Sequence, residues 1–112
     1  MPIEMVSVSK RGCLCKRRVG IWPDAEISGK NAQRFYDWAV NECSSADDIL
    51  IIDLAKVEYV SAAGLTAMLN VAKFAVLRGI NIVWKNMNPN TARLIWLAGL
   101  DKVIEIDPHP TP

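Results

Sequence analysis

Three cysteines, one histidine and a scatter of single carboxylates are the residues of this sequence best suited to chemistry. Their spacing argues against it. Cys13 and Cys15 lie two apart in a segment that reads as a strand, where both point to one face about 7 Å apart, too far for an unstrained disulfide. They lack the two further ligands of a zinc site, and Cys43 has no evident mate. An odd cysteine count without a framework suits a reducing compartment. His109 lies in the tail Asp107-Pro108-His109-Pro110-Thr111-Pro112, where alternating prolines forbid helix and ladder and nothing orients an imidazole. No Ser-His-acid set can be built around it. The glycines at 12, 20, 29, 64, 79 and 99 are isolated, so no phosphate loop is present. Asp53 closes an apolar run where carboxylates sometimes catalyse. Without a partner base or metal it reads as a capping or solvated group. The expectation is a protein with no catalytic residues, no cofactor and no metal.

The 112 residues suit one compact domain, taken as 1–107, followed by the proline-rich tail 108–112. Hydrophobic residues make up 51% and charged residues 22%, which is globular composition. With 13 basic and 12 acidic residues the net charge is +1, which argues against a main task of gripping nucleic acid or acidic lipid. Five of the cations, Lys10, Arg11, Lys16, Arg17 and Arg18, cluster near the N-terminus; edge strands carry such charges to block edge-to-edge pairing. The start Met1-Pro2-Ile3-Glu4 has no signal pattern, and no apolar run is long enough to span or insert into a bilayer. A cytoplasmic protein is expected.

Residues 5–9 and 13–19 read as two strands, with Arg11-Gly12 as the hairpin turn between them. A helix begins near Ser28 or Asn31, and Ala32, Phe35, Tyr36, Ala39, Val40 and Cys43 form its apolar stripe. Residues 49–54 read as a central strand covered on both faces. A second helix spans about Ala62–Leu77, and 80–85 is a strand. Asn88 and Pro89 open a third helix that stops at Gly99, and 103–106 is a last strand. The order β-β-α-β-α-β-α-β predicts an α/β domain with a mixed sheet and helices packed on it. Trp84 and Trp96 fall in core patterns, whereas Trp38 and Trp22 are expected at the surface, Trp38 as an interface candidate.

The second helix is apolar around most of its circumference. Thr66, Asn70 and Lys73 fall on one narrow stripe that continues to Ala62 above and Leu77 below. That pattern suits a well-packed helix, and equally a docking strip for another protein. The segment opening it, Ile51-Ile-Asp-Leu-Ala-Lys-Val-Glu-Tyr-Val-Ser-Ala-Ala-Gly-Leu65, resembles the signature of STAS domains, the sulfate transporter and anti-sigma factor antagonist family. Their pattern is a strand ending Asp-Leu, then Asp-Ser-Ser-Gly-Leu or Asp-Ser-Ala-Gly-Leu opening a helix. Gly20 after the second strand, the Arg78-Gly79 turn, and Pro89, Gly99, Leu100 and Asp101 extend the resemblance over nearly the whole chain.

The resemblance implies a non-enzymatic regulatory domain that works by partner switching in transcription. In the family's anti-sigma factor antagonists, the serine at the motif's second position is phosphorylated by a kinase that is also the anti-sigma factor. In this sequence the motif's aspartate becomes Ser61 and its serine becomes Ala62, which cannot accept a phosphate. Ser61 retains helix capping. Ser61 and, more weakly, Thr66 remain as alternative acceptors. The implied partner surface is Ser61, Ala62, Gly64, Thr66, Asn70 and Lys73, although Gly64 also suits close helix packing. The implied partner is a serine kinase/anti-sigma factor; the alternative is a transporter ATPase that this chain serves as an accessory STAS subunit. The protein itself would be a monomer or weak homodimer. A small-ligand or lipid-binding member would need a pocket the sequence does not show.

Overall fold

The computed structural model describes residues 3–8 and 14–107, with side chains from Arg17 onward. Lys10, the expected turn at Arg11-Gly12, Cys13 and the tail with His109 lie outside the described residues.

Strand β1 (Ile3–Val8) runs antiparallel to β2 (Leu14–Ile21). From there the sheet is parallel: β2 pairs with β4 (Ile49–Asp53), β4 with β6 (Asn81–Lys85), and β6 with β7 (Glu105–Asp107). The order β1-β2-β4-β6-β7 advances in one direction. Right-handed crossovers between strands that advance one way must all pass over the same face. Helices α1 (Ala32–Ser44), α2 (Ala62–Leu77) and α3 (Pro89–Leu97) do so. One apolar cluster joins Phe35 and Ala39, Met68 and Val71, and Ile95 from the three helices to Leu50, Ile52, Ile82 and Trp84 on the sheet. The α/β order and mixed sheet expected from the sequence are therefore present. A short 3-10 helix, Leu100–Lys102, precedes β7.

The central strand β4 is buried on both faces, as its unbroken apolar run implies: Leu50 and Ile52 join the core under the helices, while Ile51, buried as well, lies on the other face between Val19 and Val83. One feature differs from expectation. A second, parallel sheet of two-residue strands, β3 (Glu26–Ile27) and β5 (Tyr59–Val60), was not expected, because two residues show no alternation to read.

The aromatic residues need correcting as well. Trp22 is buried, with its Nε1 donating to the Glu26 carbonyl at 3.2 Å. Trp38 is half-buried, its ring 5.3 Å from Trp22 and 5.9 Å from Phe35. It stands three residues after Phe35, and positions three apart share a helix face. Gly20 makes room for it, since a Cβ there would lie 3.0 Å from the Trp38 ring. Trp84 is fully buried and Trp96 half-buried.

Of the basic cluster, Lys16, Arg17 and Arg18 fall on β2, which is not an edge strand. Strand β2 lies between β1 and β4, and Arg18 turns toward the helices, its Nε 3.4 Å from the Glu42 carboxylate of α1. Glu42 is buried on the same side of α1 as Phe35 and Ala39.

Candidate docking site

The start of α2 is fixed by three local devices. Ser61 stands at the N-cap with extended backbone, and its Oγ accepts from Gly64 N at 3.1 Å. Ser61 N donates to the Ile27 carbonyl at 3.0 Å, which ties the cap to β3. Gly64 is buried against that carbonyl, and a Cβ there would sit 1.9 Å from the Ile27 oxygen. Gly64 therefore offers no side-chain surface to a partner and serves the close packing of α2 on β3.

The β3 side of this contact is held in turn. Asn31, at the N-cap of α1, makes no side-chain cap hydrogen bond. Its Oδ1 accepts from Ser28 N at 2.8 Å, while its Nδ2 donates to the Glu26 carbonyl at 2.9 Å and to Asp24 at 3.1 Å. Arg34 pairs with the same Asp24 carboxylate. Across the molecule, Asn88 Nδ2 donates to the Glu58 carbonyl at 3.3 Å and joins the start of α3 to the loop before β5. Asp53 Oδ1 accepts from Ala55 N at 2.9 Å and from Asn86 Nδ2 at 3.1 Å, a capping role as expected.

Ala62, Ala63, Thr66, Asn70, Lys73 and Leu77 are exposed along one side of α2, with Leu77 at 85%. Ser61 is half-buried. Thr66 donates its hydroxyl to the Ala62 carbonyl at 3.0 Å. The structure thus brings Thr66, Asn70 and Lys73 onto a continuous face below Ala62. Val76, at 74%, is also exposed, so the outward strip is wider than the polar residues alone marked.

A groove of about 490 Å³ runs between α2 and α1, floored by Ala67 and Phe74. Its far wall is Ala32, Gln33 and Tyr36 of α1. Sequence reasoning placed Ala32 and Tyr36 on the core stripe and missed that wall; their i, i+4 spacing was the available signal. Among the described residues no group of three or more His, Cys, Asp or Glu is placed to hold a metal ion, and no helix is long and apolar enough to cross a membrane.

The STAS domain family model matches residues 18–111, and the chain belongs to that family. A candidate anti-sigma factor antagonist from Thermotoga maritima superposes with a TM-score of 0.66 at 20% identity, over 94% of this chain and 83% of that one. A sulfate transporter family protein from Wolinella succinogenes gives 0.67 at 10% identity, over 89% and 85%. The Bacillus cell fate determinant SpoIIAA, in its phosphorylated form, gives 0.55 at 12% identity, over 94% and 90%. A search of curated protein sequences returned no match.

Proposed function

We propose that this protein is a regulatory, non-enzymatic binding domain that docks a protein partner through the first half of α2 and the facing wall of α1. Ala62 carries the reading. It is exposed at the first position of α2, where the family motif places its phosphorylated serine. A phosphate at a docking surface adds nearly two negative charges and opposes close contact. Ala62 has no oxygen to receive one, so the surface stays permanently in its binding state. Each neighbouring hydroxyl has a local role: Ser61 Oγ accepts from Gly64 N at the cap and Thr66 Oγ1 donates to the Ala62 carbonyl.

The partner is a kinase-like anti-sigma factor, and the protein acts in the cytoplasm as a monomer or weak homodimer in transcriptional regulation. The second reading, an accessory subunit of a transporter ATPase, draws on the same alanine. A subunit held by binding alone needs no acceptor, and the fold is shared with a transporter-family structure.

Affinity capture with the wild type beside Ala62→Asp tests both. An aspartate in the first turn favours the helix by about 0.5 kcal/mol, so the variant should fold with an equal or slightly higher melting temperature. It should nevertheless lose a kinase-like protein or an ATPase that the wild type retains. Which of the two is lost chooses between the readings. Identical captures by both baits would remove α2 as the docking element.

A further inference from the structure

Polar side chains without partners collect in the groove between α1 and α2. Among the described residues, Lys73 is the one charged group that lines it, and no carboxylate does. Asn70 lies three positions before Lys73, so the two side chains stand on one face of α2, a turn apart. Neither is hydrogen-bonded or ion-paired to another described residue. An unpaired ammonium with an amide donor one turn away is a receptor for a negative charge.

The acids of the α1 side do not cancel that charge. Asp37 accepts from Gln33 Nε2 at 3.0 Å, and Glu42 is buried beside Arg18 on the opposite side of the helix. Asp47 and Asp48, in the loop after α1, have interaction partners of their own. Helix α2 itself carries no acidic residue. Below the polar groups the floor is apolar: Ala67 is buried, Phe74 is half-buried, and the half-buried Tyr36 ring stands on the facing wall.

A volume of about 490 Å³, with a few polar groups converging over an apolar floor, has the dimensions and chemistry of a small-molecule site. We infer that the groove binds a small organic carboxylate, with its charge held by Asn70 and Lys73 and a flat apolar body against Tyr36 and Phe74. Lys73 supplies a single positive charge, which a monocarboxylate balances and a phosphate, with nearly two negative charges, does not. Ser61 and Ala62 do not line the groove. The inference therefore goes beyond the docking reading and does not depend on it. Where a protein docks on the same face, the bound carboxylate competes with it.

The test is a titration of the isotope-labelled full-length protein with naphthylacetate and, separately, with naphthylmethylamine, followed by amide chemical shifts. The two probes share an apolar body and differ in charge. The carboxylate should bind at least about tenfold more tightly than the amine, with the shifts centred on Gln33, Tyr36, Asn70, Lys73 and Phe74. Asn70→Asp, which sets an acid beside Lys73, and Lys73→Gln should each weaken the carboxylate by about tenfold. Both positions are exposed, so melting temperatures should be unchanged. Lys73→Glu should reverse the preference toward the amine. Equal binding of the two probes, binding of neither up to about 10 mM, or shifts centred on another surface overturns the inference. So does carboxylate binding that survives the substitutions at positions 70 and 73. The capture with Ala62→Asp reads the docking proposal separately, and either proposal can fail while the other stands.

Discussion

Alanine is the better helix former at position 64, and the structure forbids it. Replacing glycine by alanine inside a helix favours folding by about 1 kcal/mol. Here the new Cβ would fall 1.9 Å from the Ile27 carbonyl oxygen, a backbone atom that cannot swing aside. Overpacking of that kind costs about 3 kcal/mol or more, so the clash outweighs the propensity. Gly64→Ala should lower stability by about 2 kcal/mol, read as a reduced urea midpoint. Cys43 makes a second prediction at this scale. Burial is the main cause that pushes its thiol from 9.0 up to about 11, with Arg78 opposing and Glu42 adding to the rise. Below pH 9 both folded and unfolded chains keep the proton. Between pH 9 and 11 the unfolded chain releases it first, so stability falls as pH rises. The loss approaches about 2–3 kcal/mol by pH 11. Cys43→Ala should flatten that decline, measured as the difference in urea midpoint between the two proteins across the range.

At the scale of elements, the contact between β2 and α1 turns on a buried charge pair. Arg18 Nε and Glu42 Oε1 are 3.4 Å apart, and neither atom has a hydrogen-bond partner. Removing one charge leaves the other stranded, which costs about 3–5 kcal/mol, whereas replacing both by apolar groups is often close to neutral. Glu42→Leu alone should therefore be strongly destabilising. The pair Arg18→Met with Glu42→Leu should recover most of that loss, shown by denaturant unfolding of the full double-mutant cycle. This contact was not legible in the sequence, since a glutamate on a helix is ordinarily solvated. Trp38 was misplaced for a related reason. What lets it lie down on the sheet is the missing side chain at Gly20, on a strand far away in sequence. Helix α2, by contrast, was readable to the residue. Its start is marked by a serine cap, and its end by Gly79 at φ 71°, whose N–H bonds the Val76 carbonyl at 3.1 Å. The helix face was legible in part: Thr66, Asn70 and Lys73 marked the outward strip, while the opposing wall of the groove depends on how α1 packs, which periodicity does not encode.

Over the whole molecule, the one-way order of strands places β4 at the centre, hydrogen-bonded along both edges, while β7 is a three-residue edge strand. Leu50 and Ile52 are fully buried there, whereas Glu105 and Asp107 are exposed. Native-state hydrogen exchange should follow that gradient. The amides of 50–52 should open only with global unfolding, and those of 105–107 at a free energy lower by about 2 kcal/mol or more. The topology itself could be read from alternating strands and helices, because handedness leaves few ways to arrange them. The small second sheet could not, yet it decides how the candidate docking end is held. Ser61 and Gly64 both close on the Ile27 carbonyl, and Asn31 binds the same loop from the start of α1. The first turns of α1 and α2 are thereby one preassembled body. A partner that touches both would meet a surface with little conformational entropy left to lose. Calorimetry of such an association should return a heat-capacity change accounted for by the apolar area covered, with no added contribution from ordering this chain.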